Sequence, residues 1–354
     1  MLSPQITLYF RQKRTHANPF SGILTIIVYL SILFFILMYL VRYIKRERPT
    51  AYYFNRYVDD IGAFSFKDLN FFNYIHILQG RSRTIKELDF NKIEIIGLNI
   101  SIEGFKNIAD LSQLSHWIYG KCDNETDIKG IENLLNNETF YKSACIKKFY
   151  NNKKSEYYDI NDENFEWPVI NKGASSPNSS LYGVVVKKCE NTTFRLQHFE
   201  ECSSESEINE YLRISFISFT TIDHYVDILN YKNPITKFLF HLNNVINSDS
   251  HITNNLNFYP GLVKSYDSLF TDKSVEQTAY FFHQNSQITS NSQNSKYLCA
   301  FYIWLQNTQQ YYERHYHKLR EALPEIGGYS SAVMMIFKFI NYLIFRFYLL
   351  SDSQ

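Results

Sequence analysis

The chain has 354 residues, with 36 Lys and Arg against 35 Asp and Glu. That balance, without a dense basic tract, leaves no electrostatic case for a nucleic-acid partner, and a mean hydropathy of −0.28 limits membrane segments to a few. Aromatic residues make up 17% while Gly (12) and Pro (8) are scarce; residues with AT-rich codons dominate, so nucleotide bias explains the profile without any function.

Residues 1–20 read as a short cytosolic tail. Residues 22–41 carry no charge, with Thr25 and Ser31 as hydroxyl interruptions. About 20 apolar residues in a helix cover the roughly 30 Å hydrocarbon core, so a first transmembrane helix is expected over 21–43. Tyr39 and Tyr43 lie near its far end, and Arg42, Lys45, Arg46 and Arg48 stop it. A cleaved signal peptide would need a shorter apolar core and a small-residue cleavage site, which this basic sequel lacks.

Residues 44–310 read as one β-rich α+β domain with one or two covering helices. Strands are expected over 93–101, 181–189, part of 211–228, and 296–306, where β-branched and aromatic residues run together or alternate. Phe105, Ile108, Leu111, Leu114 and Ile118 recur at threes and fours and predict a helix over 105–118. Residues 171–180 and 284–295 are polar without period and read as loops.

Two features of this region resemble chemistry. Asp223, His224 and Asp227 look like an acid–base cluster, but on a strand Asp223 and Asp227 share a face from which His224 points away. His315 and His317 could ligate a metal only from an extended segment; two exposed histidines are the plainer reading. Walker A, the Rossmann glycine fingerprint, GxSxG and HExxH do not occur. No catalytic, cofactor-binding or metal residues are therefore expected, and the protein reads as a non-enzyme.

Residues 309–321 are charged, so 311–325 read as a juxtamembrane stalk, with Pro324 and Gly327–Gly328 as hinge or helix start; the glycine pair would also permit close helix approach. A second transmembrane helix is expected over 326–350, followed by a tail at 351–354. It carries Lys338, Asn341 and Arg346. Arg346 can snorkel from near the end. Lys338 is central, where insertion costs about 2.5–3.5 kcal/mol against a gain of about 0.3–0.6 for each large apolar residue. Ser331, Lys338 and Asn341 share a helix face, which reads as an intramembrane interface or pore lining.

Positive charge flanks the first span on both sides, so the charge rule does not orient the chain. All five cysteines lie between the spans. Bridges Cys122–Cys145 and Cys189–Cys202 would suit an oxidising compartment, leaving Cys299 buried in a strand or open to an intermolecular bridge. Glycosylation tripeptides occur at Asn99, Asn124, Asn137, Asn178 and Asn191. A chain this rich in Asn, Ser and Thr produces them by chance, so their number decides nothing. The preferred topology has both tails cytosolic and the middle lumenal or extracellular.

Several short pieces recur in a known order. They are Phe20-Ser21-Gly22-Ile23-Leu24, Ser143-Ala144-Cys145-Ile146, Tyr182-Gly183 with Lys188-Cys189, and residues 227–231 with Asn233-Pro234-Ile235. Tyr312-Glu313-Arg314 with Tyr316 and Lys318-Leu319 follows, then Ile326-Gly327-Gly328. Through most of its length the chain resembles a ciliate-restricted family of two-pass transmembrane proteins. The resemblance implies short tails and a large domain between terminal spans, and no activity; Lys338 and Arg346 make this second span more polar than that plan implies.

Three functions are open to such a chain. It could be a receptor, adhesion or scaffold subunit of a plasma-membrane or endomembrane complex. It could be a two-span ion-channel subunit, where Lys338 would repel cations and suit anions. It could be an accessory subunit of an organellar (mitochondrial) membrane complex. The first is preferred, with the bilayer and other subunits as partners through the second span, self-association included.

Overall fold

The structure is a computed structural model that describes residues 19–46, 49–67, 73–80, 83–101, 115–122, 134, 137–171, 179–192, 200–230, 232–246, 250–268, 271–291, 296–316 and 318–351. The chain opens with helix α1 (Pro19–Lys45) and strands β1 (Thr50–Tyr57), β2 (Ala63–Ser65), β3 (Asn73–Gln79), β4 (Thr84–Lys86), β5 (Ile93–Ser101) and β6 (His116–Lys121). Next come α2 (Asn137–Tyr141), β7 (Ala144–Asn151), β8 (Glu156–Asp159), β9 (Val169–Asn171), β10 (Ser180–Lys188) and α3 (Glu205–Leu212). The remainder is β11 (Ser215–Val226), β12 (Ile235–Ile246), β13 (Ser250–Tyr266), β14 (Val275–Asn291), β15 (Tyr297–Leu305), β16 (Thr308–His315) and α4 (Leu319–Ser351).

Two compact units result. One holds residues 1–51, 265–275 and 314–354; the other holds 52–264 and 276–313. In the second, strands join a fourteen-stranded sheet in the order β1-β16-β13-β15-β10-β5-β6-β7-β3-β11-β12, with β14 on β13, β4 on β3 and β8 on β7. Pairing is antiparallel between β5, β10 and β15, between β3, β11 and β12, and between β6 and β7, while β13 and β15 run parallel.

The central strands are apolar on both faces, and that explains their unbroken apolar runs. On β10, Tyr182, Val184 and Val186 face the main core while Leu181 and Val185 face a smaller one; on β15, Cys299, Phe301, Ile303 and Leu305 alternate with Ala300, Tyr302 and Trp304 in the same way. Helix α3 is amphipathic, burying Ile208, Tyr211 and Leu212. Its start is fixed by a capping box in which the Ser204 N–H donates to the Glu207 carboxylate at 2.9 Å.

The strands expected at 93–101, 181–189 and 296–306 coincide with β5, β10 and β15 to within a residue. Other expectations need correction. Ile118 lies in β6, so the helix expected over 105–118 cannot extend to its end; most of that span falls outside the described residues. Tyr211 belongs to α3, and the strand expected from 211 begins at Ser215. The polar run 284–295, read as a loop, is β14 as far as Asn291, because an edge strand can carry a polar sequence once its backbone is paired. The stalk expected at 311–325 is also replaced: β16 reaches His315 and α4 starts at Leu319.

Candidate functional site

Asp223 and His224 are both structural. One Asp223 carboxylate oxygen accepts the N–H groups of Phe282 (3.0 Å) and His224 (2.7 Å), and His224 Nδ1 lies 2.9 Å from the Tyr280 carbonyl, stitching β11 to β14. Asp227 lies past the strand end and caps a turn by accepting the Leu229 N–H at 3.0 Å. The three therefore do not assemble into a site. His315 stacks on Tyr266 at 4.3 Å, and His317 lies outside the described residues. Among the described residues no group of three His, Cys, Asp or Glu could hold a metal ion.

Cys122 joins Cys145 and Cys189 joins Cys202, with Cα separations of 5.1 and 5.7 Å. The first bridge ties the end of β6 to the start of β7; the second closes the segment that leads from β10 to α3. Cys299 is buried in β15, and burial pushes its thiol up, out of the reactive range. Asn191 is exposed beside the second bridge, its side-chain oxygen accepting the Cys202 N–H at 2.7 Å. Asn99 is a poor glycan acceptor. Its amide nitrogen donates to the Val169 carbonyl at 2.9 Å and its oxygen is buried, so a sugar there would break the strand packing. Asn124, Asn178 and the side chain of Asn137 lie outside the described residues.

Sequence reading missed a polar chain in the core. The Tyr119 hydroxyl donates to the Asn73 side-chain oxygen at 2.6 Å and lies 3.1 Å from the Tyr182 hydroxyl. On the other face of β3, Thr220 Oγ1 is 2.8 Å from His241 Nδ1, and the His76 ring sits 6.5 Å from the His241 ring. Burial pushes His76 down to about 4, with His241 adding to the effect, and burial also lowers His241. Both imidazoles are thus neutral near pH 7. The one available signal was polar Asn73 and His76 inside the apolar strand NYIHILQ, and it does not say which face is buried.

In the other unit α1 and α4 pack antiparallel. Phe35 stacks on Tyr329 at 3.8 Å, and one turn further along α1 the Tyr39 side chain meets Glu325, one turn earlier on α4. Tyr329, Ser330, Val333, Met334, Phe337 and Asn341 are half-buried, whereas Ser331 and Lys338 are exposed. Asn341 thus lies on the flank nearer α1, while Ser331 and Lys338 are open on the surface of this chain. A Cβ at Gly327 or Gly328 would meet open space, so neither glycine mediates a close helix approach within this chain. Among the described residues one helix, Thr25–Lys45, is long and apolar enough to cross a membrane.

These features define a class: a β-rich, disulfide-bridged protein with an apolar N-terminal helix of membrane-spanning length and a long C-terminal helix packed beside it. Residues 98–306, more than half of the chain, match the family described as the uncharacterised 80 kDa protein N-terminal domain, and the chain belongs to that family. No curated protein matches. Among solved structures, a cryo-EM structure of a proton-activated chloride channel aligns over 92% of this chain and 98% of its own, at 11% identity and a TM-score of 0.34. A TM-score that low carries no argument.

Proposed function

We propose that the protein is a two-span subunit of a membrane complex. In this reading α1 and α4 both cross the bilayer, the two tails share the cytosolic side, and the sheet unit is a non-catalytic interaction domain in an oxidising compartment. The antiparallel packing of α1 against α4 carries the reading. At 27 and 33 residues they are about 40 and 50 Å long, each enough to cross a roughly 30 Å core with turns to spare. An antiparallel pair returns the chain to the side from which it entered. The two bridges support an oxidising side, where such pairs persist.

A second reading is an ion-conducting subunit, favoured by Lys338 standing exposed on the α4 face away from α1. An ammonium at mid-span needs protein or water beside it, and around a pore it would repel cations and suit anions.

The tagged full-length protein, run reduced and non-reduced and with and without glycosidase, tests the first reading. A mobility change on reduction and a second on deglycosylation are expected, the latter lost in Asn191→Gln if that site is the one used. No change in either would place the sheet unit in a reducing compartment, as in an organellar complex, and would overturn the topology.

A further inference from the structure

The start of α4 is held by charges that the helix itself does not explain. In the unit formed by residues 1–51, 265–275 and 314–354, the described residues between β13 and β14 meet those at the end of β16 and the start of α4. Arg314, at the end of β16, donates through Nε to Ser265 Oγ at 2.6 Å and through a terminal nitrogen to Asp267 Oδ2 at 3.4 Å. Its other terminal nitrogen is 3.4 Å from the Tyr316 hydroxyl. The Arg314 side chain is 3% exposed. Lys318 caps the helix: its backbone N–H donates to Glu321 at 3.2 Å, while its ammonium reaches back to Asp272. Arg320 grips the same carboxylate with both terminal nitrogens, at 3.1 and 3.2 Å. Around them Tyr266 stacks on His315 and its carbonyl accepts the Tyr316 N–H at 3.4 Å. Arg46, just past the end of α1, also acts on Asp267.

The two carboxylates sit in different surroundings. Asp267 is largely enclosed; burial raises its carboxyl, and Arg314 and Arg46 pull it back. The Asp272 and Arg320 side chains are 62% and 65% exposed, whereas the Lys318 side chain between them and the fold is 6% exposed, and its hydrogen bond holds the Asp272 carboxyl below the usual range. Enclosed pairs resist screening, whereas exposed ones compete with water and salt.

We propose that Asp267 and Asp272, on the described parts of the β13–β14 connection, form a two-stage latch on the first turn of α4, with a fixed inner pair, Asp267–Arg314, and a releasable outer carboxylate, Asp272, held by Lys318 and Arg320. Opening the outer stage frees the Lys318 cap and hence the first turn, while the inner pair keeps the connection in place. The latch does not depend on α4 crossing a membrane.

Hydrogen exchange on the full chain in detergent micelles tests it. Asp272→Asn keeps the size and removes the charge at an exposed position. It is expected to raise exchange of peptides covering residues 318–326 about tenfold and to leave β5 and β10 peptides unchanged. In the unaltered chain, 0.5 M NaCl should produce much of the same rise, and it should add little to Asp272→Asn. First-turn exchange unaltered in Asp272→Asn overturns the latch. So does an equal rise in β5 and β10, which would mean general destabilisation, and so does a salt response undiminished in the variant.

Discussion

Two tyrosine hydroxyls and one missing side chain fix the middle of the sheet. Gly97 on β5 pairs with Val184 on β10, and the ring of Tyr182, two residues away, lies across the space a Cβ at 97 would fill. That placement lets the Tyr182 hydroxyl meet Tyr119, whose own proton goes to Asn73. Buried hydroxyls without partners would be costly, so the glycine and the hydrogen-bonded chain depend on each other. Gly97→Ala should destabilise the protein by about 2 kcal/mol, the scale of overpacking a closed core. Urea unfolding should show this, with a smaller loss when Gly97→Ala is made in Tyr182→Phe, since the hydroxyl is the nearest obstacle. At this scale the sequence showed a glycine within an apolar strand, and only the pairing showed which ring it accommodates.

Among the elements, the strands with the most regular apolar runs were legible: β5, β10 and β15 are apolar on both faces and needed no context. β14 was not, because its residues are polar and its conformation comes from pairing with β13. Both short-range bridges could be proposed from spacing alone, since 23 and 13 residues close small loops. For α4, composition placed a lysine near the middle of a long helix, and packing against α1 decided where it points. Lys338→Leu should leave unfolding of the sheet unit unchanged, because residue 338 belongs to the other unit. An assembly formed through α4 should run as a high-mass species of the full protein on native gels in mild detergent and be lost in Lys338→Leu. A high-mass species that survives would mean that Lys338 instead snorkels along the helix toward an interface.

At the scale of the whole molecule, acid should weaken the fold through its buried imidazoles. His76 is 4% exposed, its Nδ1 has no hydrogen-bond partner among the described residues, and burial holds it near 4 against an ordinary 6.5. A base whose folded value is depressed takes up its proton more readily when unfolded. Its contribution is therefore complete above about 6.5, declines as the pH falls and is gone below about 4. The full difference is about 3 kcal/mol for His76, and His241 acts in the same direction. Thermal unfolding between pH 7.5 and 4.5 should show a falling midpoint, with a shallower slope in His76→Gln. An equal slope in the variant would move the acid sensitivity elsewhere.

Taken by itself, the sequence determined a long uncharged segment near one end and a basic stop after it. It also determined the central strands, the confinement of the cysteines to the middle, and the lack of familiar catalytic motifs. Hydropathy and short periods are local properties, readable over a dozen residues. The tertiary structure alone decided that Asp223 and His224 staple strands, that Asn99 is occupied, that Lys338 faces away from α1, and that Asp267 and Asp272 hold the start of α4. Each of those depends on partners brought from distant parts of the chain: Phe282 lies 59 residues from Asp223, and Arg314 lies 47 from Asp267. No local pattern encodes such a pairing. Strand order and loop closure, established when the sheet assembles, bring these groups within hydrogen-bonding distance.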